Sequence, residues 1–199
     1  MLRDLLAHPS IYSLFARLVG ATRGRRLFIQ RHVRPHKGGR ILDIGCGPAD
    51  ILDALPEVDY HGFDQSADYI ASARKRFGVR GHFHVEAVNR ELVKKYADFD
   101  LVLAIGVLHH LTDSEAIELL NVAQAALKPG GRLVTLDGCF VEDQSPIARR
   151  LLKLDRGVYV REAGAYLGLA RQVFRDVKSC LATDFLRIPY THIVLECRR

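Results

Sequence analysis

Short apolar runs alternate with stretches of helical period through the middle of the chain. Arg40-Ile-Leu-Asp-Ile-Gly45 is brief, apolar and ends in glycine, as a strand buried on both faces does. Residues 48–55 read as a short helix and Val58 to Phe63 as a second strand. Ser66 starts a helix that runs to Arg76, its hydroxyl accepting an unpaired backbone N–H. Gly81 to Val85 is a third strand, Asn89 to Tyr96 a short helix and Phe99 to Ala104 a fourth strand. A helix is predicted over Glu115 to Leu127, capped by Asp113 or Ser114 and stopped by Lys128-Pro-Gly-Gly131. Arg132 to Asp137 is a fifth strand, and residues 140–176 read as mostly helical with breaks at Pro146 and Gly157. Leu181 to Ile188 and Thr191 to Cys197 read as two last strands around Pro189, joined as an antiparallel hairpin.

Such alternation predicts an α/β fold, a doubly wound sheet with helices on both faces. Seven strands are expected, mostly parallel, with an antiparallel last strand. The 199 residues are expected to form one domain. Within it, 1–36 would be a helical lid, 37–138 the core, 139–176 a helical cap and 177–199 the strand hairpin. Ligands of open parallel sheets sit beyond the carboxyl ends of the strands, where the strand order reverses.

Composition narrows the class. Hydrophobic residues make up 48% and charged residues 26%, which excludes a disordered tail or a collagen-like fibre. No run approaches the ~20 apolar residues that cross a bilayer, and His8-Pro9 interrupts the apolar start at Leu5-Leu6. Cys46, Cys139, Cys180 and Cys197 are widely spaced and form no CxxC pair. They read as reduced thiols of a cytoplasmic protein. The net charge of +6 is uneven: residues 1–40 hold nine basic side chains against Asp4 alone, and the remainder holds 20 basic against 22 acidic. A basic arm attracts anionic partners, and it equally suits the solvated face of an amphipathic helix.

The first strand ends in Asp43-Ile-Gly-Cys-Gly47-Pro-Ala-Asp50. Gly45 and Gly47 permit a tight turn and close approach of backbone to a ligand. The pair also fits an ordinary strand-to-helix turn. Asp64 ends the second strand nineteen residues after Gly45, where a carboxylate can bind the two hydroxyls of an adenosine ribose. A dinucleotide fingerprint would place a third glycine at Asp50, and an acid there repels a pyrophosphate. The Gly-x-x-x-x-Gly-Lys-Ser/Thr pattern of phosphate loops is absent.

Four ordered motifs now resemble those of class I S-adenosylmethionine-dependent methyltransferases, over roughly residues 36–138. They are Arg40-Ile-Leu-Asp-Ile-Gly-Cys-Gly-Pro-Ala49, His61-Gly-Phe-Asp-Gln-Ser66, Phe99-Asp-Leu-Val-Leu-Ala-Ile-Gly-Val-Leu-His-His-Leu111 and Leu127-Lys-Pro-Gly-Gly-Arg-Leu-Val134. Ala49 departs from the pattern, since a third glycine is frequent there. The resemblance implies a Rossmann-like fold, S-adenosylmethionine as cofactor and S-adenosylhomocysteine as its product. It implies that Gly45, Cys46 and Gly47 approach the methionine part and the sugar, and that Asp43 holds the amino end. Asp64 would bind the ribose, with Gln65 beside the adenine. Glu86 would lie near the adenine amine, in place of the usual Asp. Ala87 and Val88 would flank the ring, and Ala104 and Ile105 would line the cofactor through their backbone.

Methyl transfer from a sulfonium needs no acid for its neutral leaving group, so orientation dominates. A hydroxyl acceptor gains from a general base. His109 and His110, after the fourth strand, and Asp137, at the end of the fifth, are the candidates. Tyr12, Tyr159 and Arg161 are candidate acceptor-binding residues, with Phe15 and Tyr166 as further lid groups. His82 and His84 share a strand face, but no carboxylate or cysteine partner is evident beside them, and no metal is expected. The expected function is O- or N-methylation of a metabolite, sugar or natural product. The chain is expected to lack a separate domain to grip a macromolecule and has no Asn/Asp-Pro-Pro-Tyr-like signature, which disfavours nucleic acid; a homodimer is left open. An RNA or protein methyltransferase using the basic arm, and a non-catalytic cofactor-binding module, are the alternatives.

Overall fold

The computed structural model describes residues 19–154 and 157–199. Seven strands lie in the order β3-β2-β1-β4-β5-β8-β7. They are β1 (Arg40–Ile44), β2 (Asp59–Asp64), β3 (His82–Val85), β4 (Phe99–Ile105), β5 (Leu127–Phe140), β7 (Asp176–Ala182) and β8 (His192–Arg198). A two-residue strand, β6 (Arg161–Glu162), pairs with the end of β5. β1 to β5 pair in parallel, and β8 is antiparallel to both β5 and β7. This is the expected α/β sheet, with the last strand reversed.

Alternate residues of each strand feed two cores. On one face Leu42, Phe63, Val102 and Leu133 pack under the helices α4 (Asp113–Ala126) and α6 (Ala163–Arg171). On the other, Ile41, Tyr60, Leu103 and Val134 pack under α1 (Ala21–Phe28) and α2 (Ala67–Phe77). Two smaller helices, α3 (Arg90–Lys95) and α5 (Pro146–Lys153), complete the set among the described residues. Strands apolar on both faces follow from this two-sided burial. α1 continues into a π-turn at Ile29–Val33, where Phe28, Ile29 and Val33 are buried. Residues 21–33, expected within a lid, thus supply core side chains.

Four boundaries differ from expectation. The short helix expected at 48–55 is a single 3-10 turn, Asp50–Asp53. Thr112, not Asp113 or Ser114, caps α4: its hydroxyl accepts the Glu115 N–H while the Glu115 carboxylate accepts the Thr112 N–H at 2.8 Å. The reciprocal pair satisfies two end groups, which a cap one residue later would not. β5 begins at Leu127, because Phe99 pairs with Leu127 and Leu101 with Arg132, leaving Lys128 to Gly131 as an irregular outpocket. β7 spans 176–182, not 181–188. It is an edge strand, mostly exposed, so it lacks the apolar signature of the inner strands. The segment 140–176 is also less helical than expected, since β6 and its flanking turn interrupt it.

Candidate functional site

Strand order reverses between β1 and β4, and their carboxyl ends open into two loops that touch. Gly45 (φ 68) and Gly47 (φ 55) both adopt the left-handed conformation that only glycine enters without strain. A Cβ on Gly45 would stand 2.8 Å from Val107 Cγ2, so the loop after β4 closes directly onto the turn after β1. Ala49 is also left-handed (φ 55) and is fully buried. That conformation explains why a glycine suits this position, and the buried methyl group is what alanine contributes instead.

Asp64 ties the end of β2 to this turn. One carboxylate oxygen accepts the Gly47 N–H at 2.9 Å and the other the Ser66 N–H at 2.8 Å. Each oxygen keeps a second lone pair, directed from the half-buried end of the strand. Asp43 is buried, and its Oδ2 accepts the Tyr60 hydroxyl at 2.6 Å while Oδ1 has no partner. Burial pushes the Asp43 carboxyl up to about 7, against the pull of the Tyr60 bond and with the help of the Asp64 charge. A buried carboxylate oxygen left without a donor is the feature that a ligand ammonium group would satisfy. Tyr60 carried no sequence signal as a site residue; it reaches Asp43 because it lies on the neighbouring strand, paired with Ile41.

The other expected cofactor residues fall around this centre. Cys46 is half-buried, its Sγ near Gly62, and burial pushes its thiol far up, so it is an inert packing group. Glu86 donates its backbone N–H to the Asp64 carbonyl at 3.1 Å, which brings the end of β3 to the same rim. Gln65, Glu86 and Ala87 are exposed, while Val88 is half-buried against the core. Ala104 buries its side chain completely and Ile105 half of it, leaving backbone as what they offer the rim.

His109 and Asp137 meet at the second rim position. Asp137 Oδ1 lies 2.9 Å from His109 Nδ1 and accepts the His109 backbone N–H at 3.2 Å. Both groups are buried, and Asp137 Oδ2 has no partner. His110 is exposed, its ring centre 4.2 Å from that of His109. A Cβ at Gly157 would overlap the His109 imidazole, so the chain there lies flat on the ring. Tyr159 donates its N–H to the His109 carbonyl at 2.9 Å.

Arg161 has a different setting from the one expected of an acceptor ligand. Only 9% of its side chain is exposed. It donates to the carbonyls of Leu108 (2.9 Å), Tyr159 (3.0 Å) and Leu111 (2.6 Å), and to Asp113 Oδ1 (2.8 Å). It therefore clamps the turn that carries His109 to the segment that covers it. Tyr159 is 42% exposed and remains available to a ligand. Tyr166 is buried, with its hydroxyl donating to the Gly138 carbonyl at 3.1 Å. Tyr12 and Phe15 lie outside the described residues.

Asp50 also differs from expectation. It is paired with Arg25 at 3.1 Å and with Arg76, so its charge is offset and does not by itself repel a phosphate. On the opposite end of β2, the register places Asp59 and His61 beside His82, a carboxylate neighbour the sequence spacing concealed.

Residues 42–133 match the profile of a family described as "Methyltransferase domain". The match covers 92 of the 199 residues, just under half of the chain. The chain is 32% identical over 111 residues to a ubiquinone biosynthesis O-methyltransferase of Xylella fastidiosa, covering 53% of this chain and 44% of that protein. It is 30% identical over 167 residues to a tRNA U34 carboxymethyltransferase of Pseudoalteromonas translucida, covering 76% and 50%. The chain thus spans about half the length of the curated relatives it matches, or less. Among solved structures, a TehB-like SAM-dependent methyltransferase from Corynebacterium glutamicum superposes with a TM-score of 0.65 at 19% identity, over 97% of this chain and 99% of that one. The methyltransferase resemblance of the four motifs and the fold it implied are borne out.

Proposed function

We propose that the protein transfers a methyl group from S-adenosylmethionine to an oxygen or nitrogen of a small molecule. The observation that carries this reading is the Asp64 carboxylate bridging Gly47 and Ser66 at the tip of β2, beside two left-handed glycines and the unpartnered oxygen of Asp43. These groups fit the donor: a diol for Asp64, an ammonium group for Asp43, and a backbone path with no side chain at Gly45 and Gly47. S-adenosylmethionine, when bound, supplies an electrophilic methyl group whose departure leaves a neutral thioether.

The chain's own part is then to bind, orient and deprotonate. With its proton on Nδ1 facing Asp137, His109 presents Nε2 as the base. Asp137 holds that tautomer and steadies the imidazolium that forms. The Gly157–Arg161 segment covers the imidazole, and Arg161 holds the cover in place. Gln65, Glu86, Ala87 and Val88 edge the adenine side. Tyr159 is the acceptor-side contact.

A small acceptor is favoured over RNA by the state of five basic side chains in the described part of the arm. Arg25, Arg31, Arg34, Lys37 and Arg40 each pair with a carboxylate: Asp50, Asp184, Glu196, Glu57 and Asp59. Charges already paired release few counterions from a phosphate backbone. The relatives named above point both ways, one acting by name on a quinone precursor pathway and one on tRNA. Calorimetry with S-adenosylmethionine and S-adenosylhomocysteine tests the shared premise: binding of at least one is expected, and folded protein that binds neither overturns the reading.

A further inference from the structure

The far end of the sheet carries a second constellation, remote from the glycine turn. Asp59 and His61 are two residues apart on β2 and therefore point to the same face. His82 on β3 is the register partner of His61, so its imidazole lies beside that of His61. The ring centres are 4.7 Å apart, with 27° between their planes. Asp59 Oδ1 is 3.0 Å from His61 Nε2 and 3.9 Å from His82 Nε2. All three ligand atoms lie within 4.8 Å of one another.

We propose that Asp59, His61 and His82 form a binding site for a divalent first-row transition metal, with zinc as its typical occupant. Two imidazole nitrogens and one carboxylate oxygen are the donor set that zinc takes, at about 2.0–2.2 Å. Tetrahedral ligands at that distance are about 3.3–3.6 Å apart, between the 3.0 Å and 3.9 Å that separate Asp59 Oδ1 from the two imidazole nitrogens. The larger adjustment falls to His82, 65% of whose side chain is exposed, whereas His61 is buried. The preference for a borderline cation follows from the nitrogen donors; magnesium and calcium favour oxygen alone. The exposed side of His82 leaves a fourth position for water.

Other groups define the site's limits. Arg40 Nε donates to Asp59 Oδ2 at 2.9 Å, which fixes the carboxylate and leaves Oδ1 for the cation. His61 Nε2 faces Asp59 Oδ1 at 3.0 Å, the geometry of a shared proton, and its buried Nδ1 has no partner. A cation takes the place of that proton, which moves to Nδ1. His84 lies on the same face but stacks on Phe63, with ring centres 4.4 Å apart, and does not join the three ligand atoms. β3 is the edge strand of the sheet, so the ion would clip the edge strand to its neighbour.

The test is titration of the untagged full chain with zinc chloride alone, by calorimetry, alongside His82→Ala and His84→Ala. His82 is exposed, so the first variant keeps the fold, which circular dichroism checks. One zinc ion per chain is expected for the wild type. In His82→Ala the affinity should fall by at least about 10–100-fold, the loss that even an outer partner of a metal ligand produces. His84→Ala should bind as the wild type does. No zinc bound by the wild type, or equal affinity in His82→Ala, would overturn the site. Neither result touches the methyltransferase reading, whose residues lie at the other end of the strands.

Discussion

Asp43 and Asp64 show how two carboxylates twenty-one positions apart in sequence divide one task by environment. Asp64 meets backbone donors and solvent, whereas Asp43 is buried with one hydroxyl donor, and its carboxyl is held near 7. For a carboxyl raised in the fold, the folded state binds the extra proton. Its stabilising contribution is complete below pH ~4, the unfolded value, and is lost as pH rises to about 7. Asp43→Asn should therefore raise the melting temperature at pH 8 but not at pH 4; a shift of equal size at both would show that the carboxyl is not perturbed. A ligand ammonium group beside Oδ1 favours the charged form, so donor binding at pH 6.5 should release protons. Calorimetry in buffers of differing ionisation enthalpy reads that release, and a buffer-independent enthalpy would remove the ammonium from Asp43. Asp64→Ala loses charge-assisted hydrogen bonds, each typically worth ~1.5–3 kcal/mol, and should weaken donor binding by about two orders of magnitude or more. His109→Gln should leave donor affinity unchanged and lower turnover of a hydroxyl acceptor by ~10²–10⁴-fold.

At the scale of elements, the cover over His109 is the decisive assembly. It rests on Gly157, where a side chain would collide with the imidazole, and on Arg161, whose acceptors on Leu108, Leu111 and Asp113 join it to the 108–113 turn. Gly157→Ala should lift the cover or turn the ring, lowering turnover while the donor affinity stays intact. A loss of donor affinity instead would place Gly157 on the cofactor side. The strands β1 to β5 were legible because burial on both faces makes them continuous apolar runs. β7 was not, because an exposed edge strand with Asp176, Lys178 and Ser179 has no such signature. The pairing of His109 with Asp137 was legible as a choice between two histidines, and only the 3-10 turn at Leu108–His110 decides which ring enters the sheet's rim. The clamp made by Arg161 was not legible, since its partners are carbonyl oxygens fifty residues upstream.

At the scale of the whole molecule, five of the nine basic side chains in the arm read from composition are held in ion pairs. Surface pairs contribute little stability, about 0–1 kcal/mol each, yet they occupy the charges that would otherwise meet phosphate. Binding to tRNA at 0.15 M salt is therefore expected to be undetectable, with no steep dependence on salt below it. A log–log salt slope steeper than about −3, or three phosphates' worth of released ions, would restore the RNA reading. No helix among the described residues is long and apolar enough to cross a membrane. The sheet itself has two working ends: the glycine turn where strand order reverses, and the histidine-lined start of β2 and β3. The claim on which most depends is that the first of these grips the adenosyl donor. A crystal structure of the protein soaked with S-adenosylhomocysteine tests it directly. The account predicts ribose hydroxyls on Asp64 and the amino group on Asp43, with the chain of Gly45 to Gly47 against the ligand. An adenosyl group bound elsewhere, or an empty rim in a saturating soak, would contradict it.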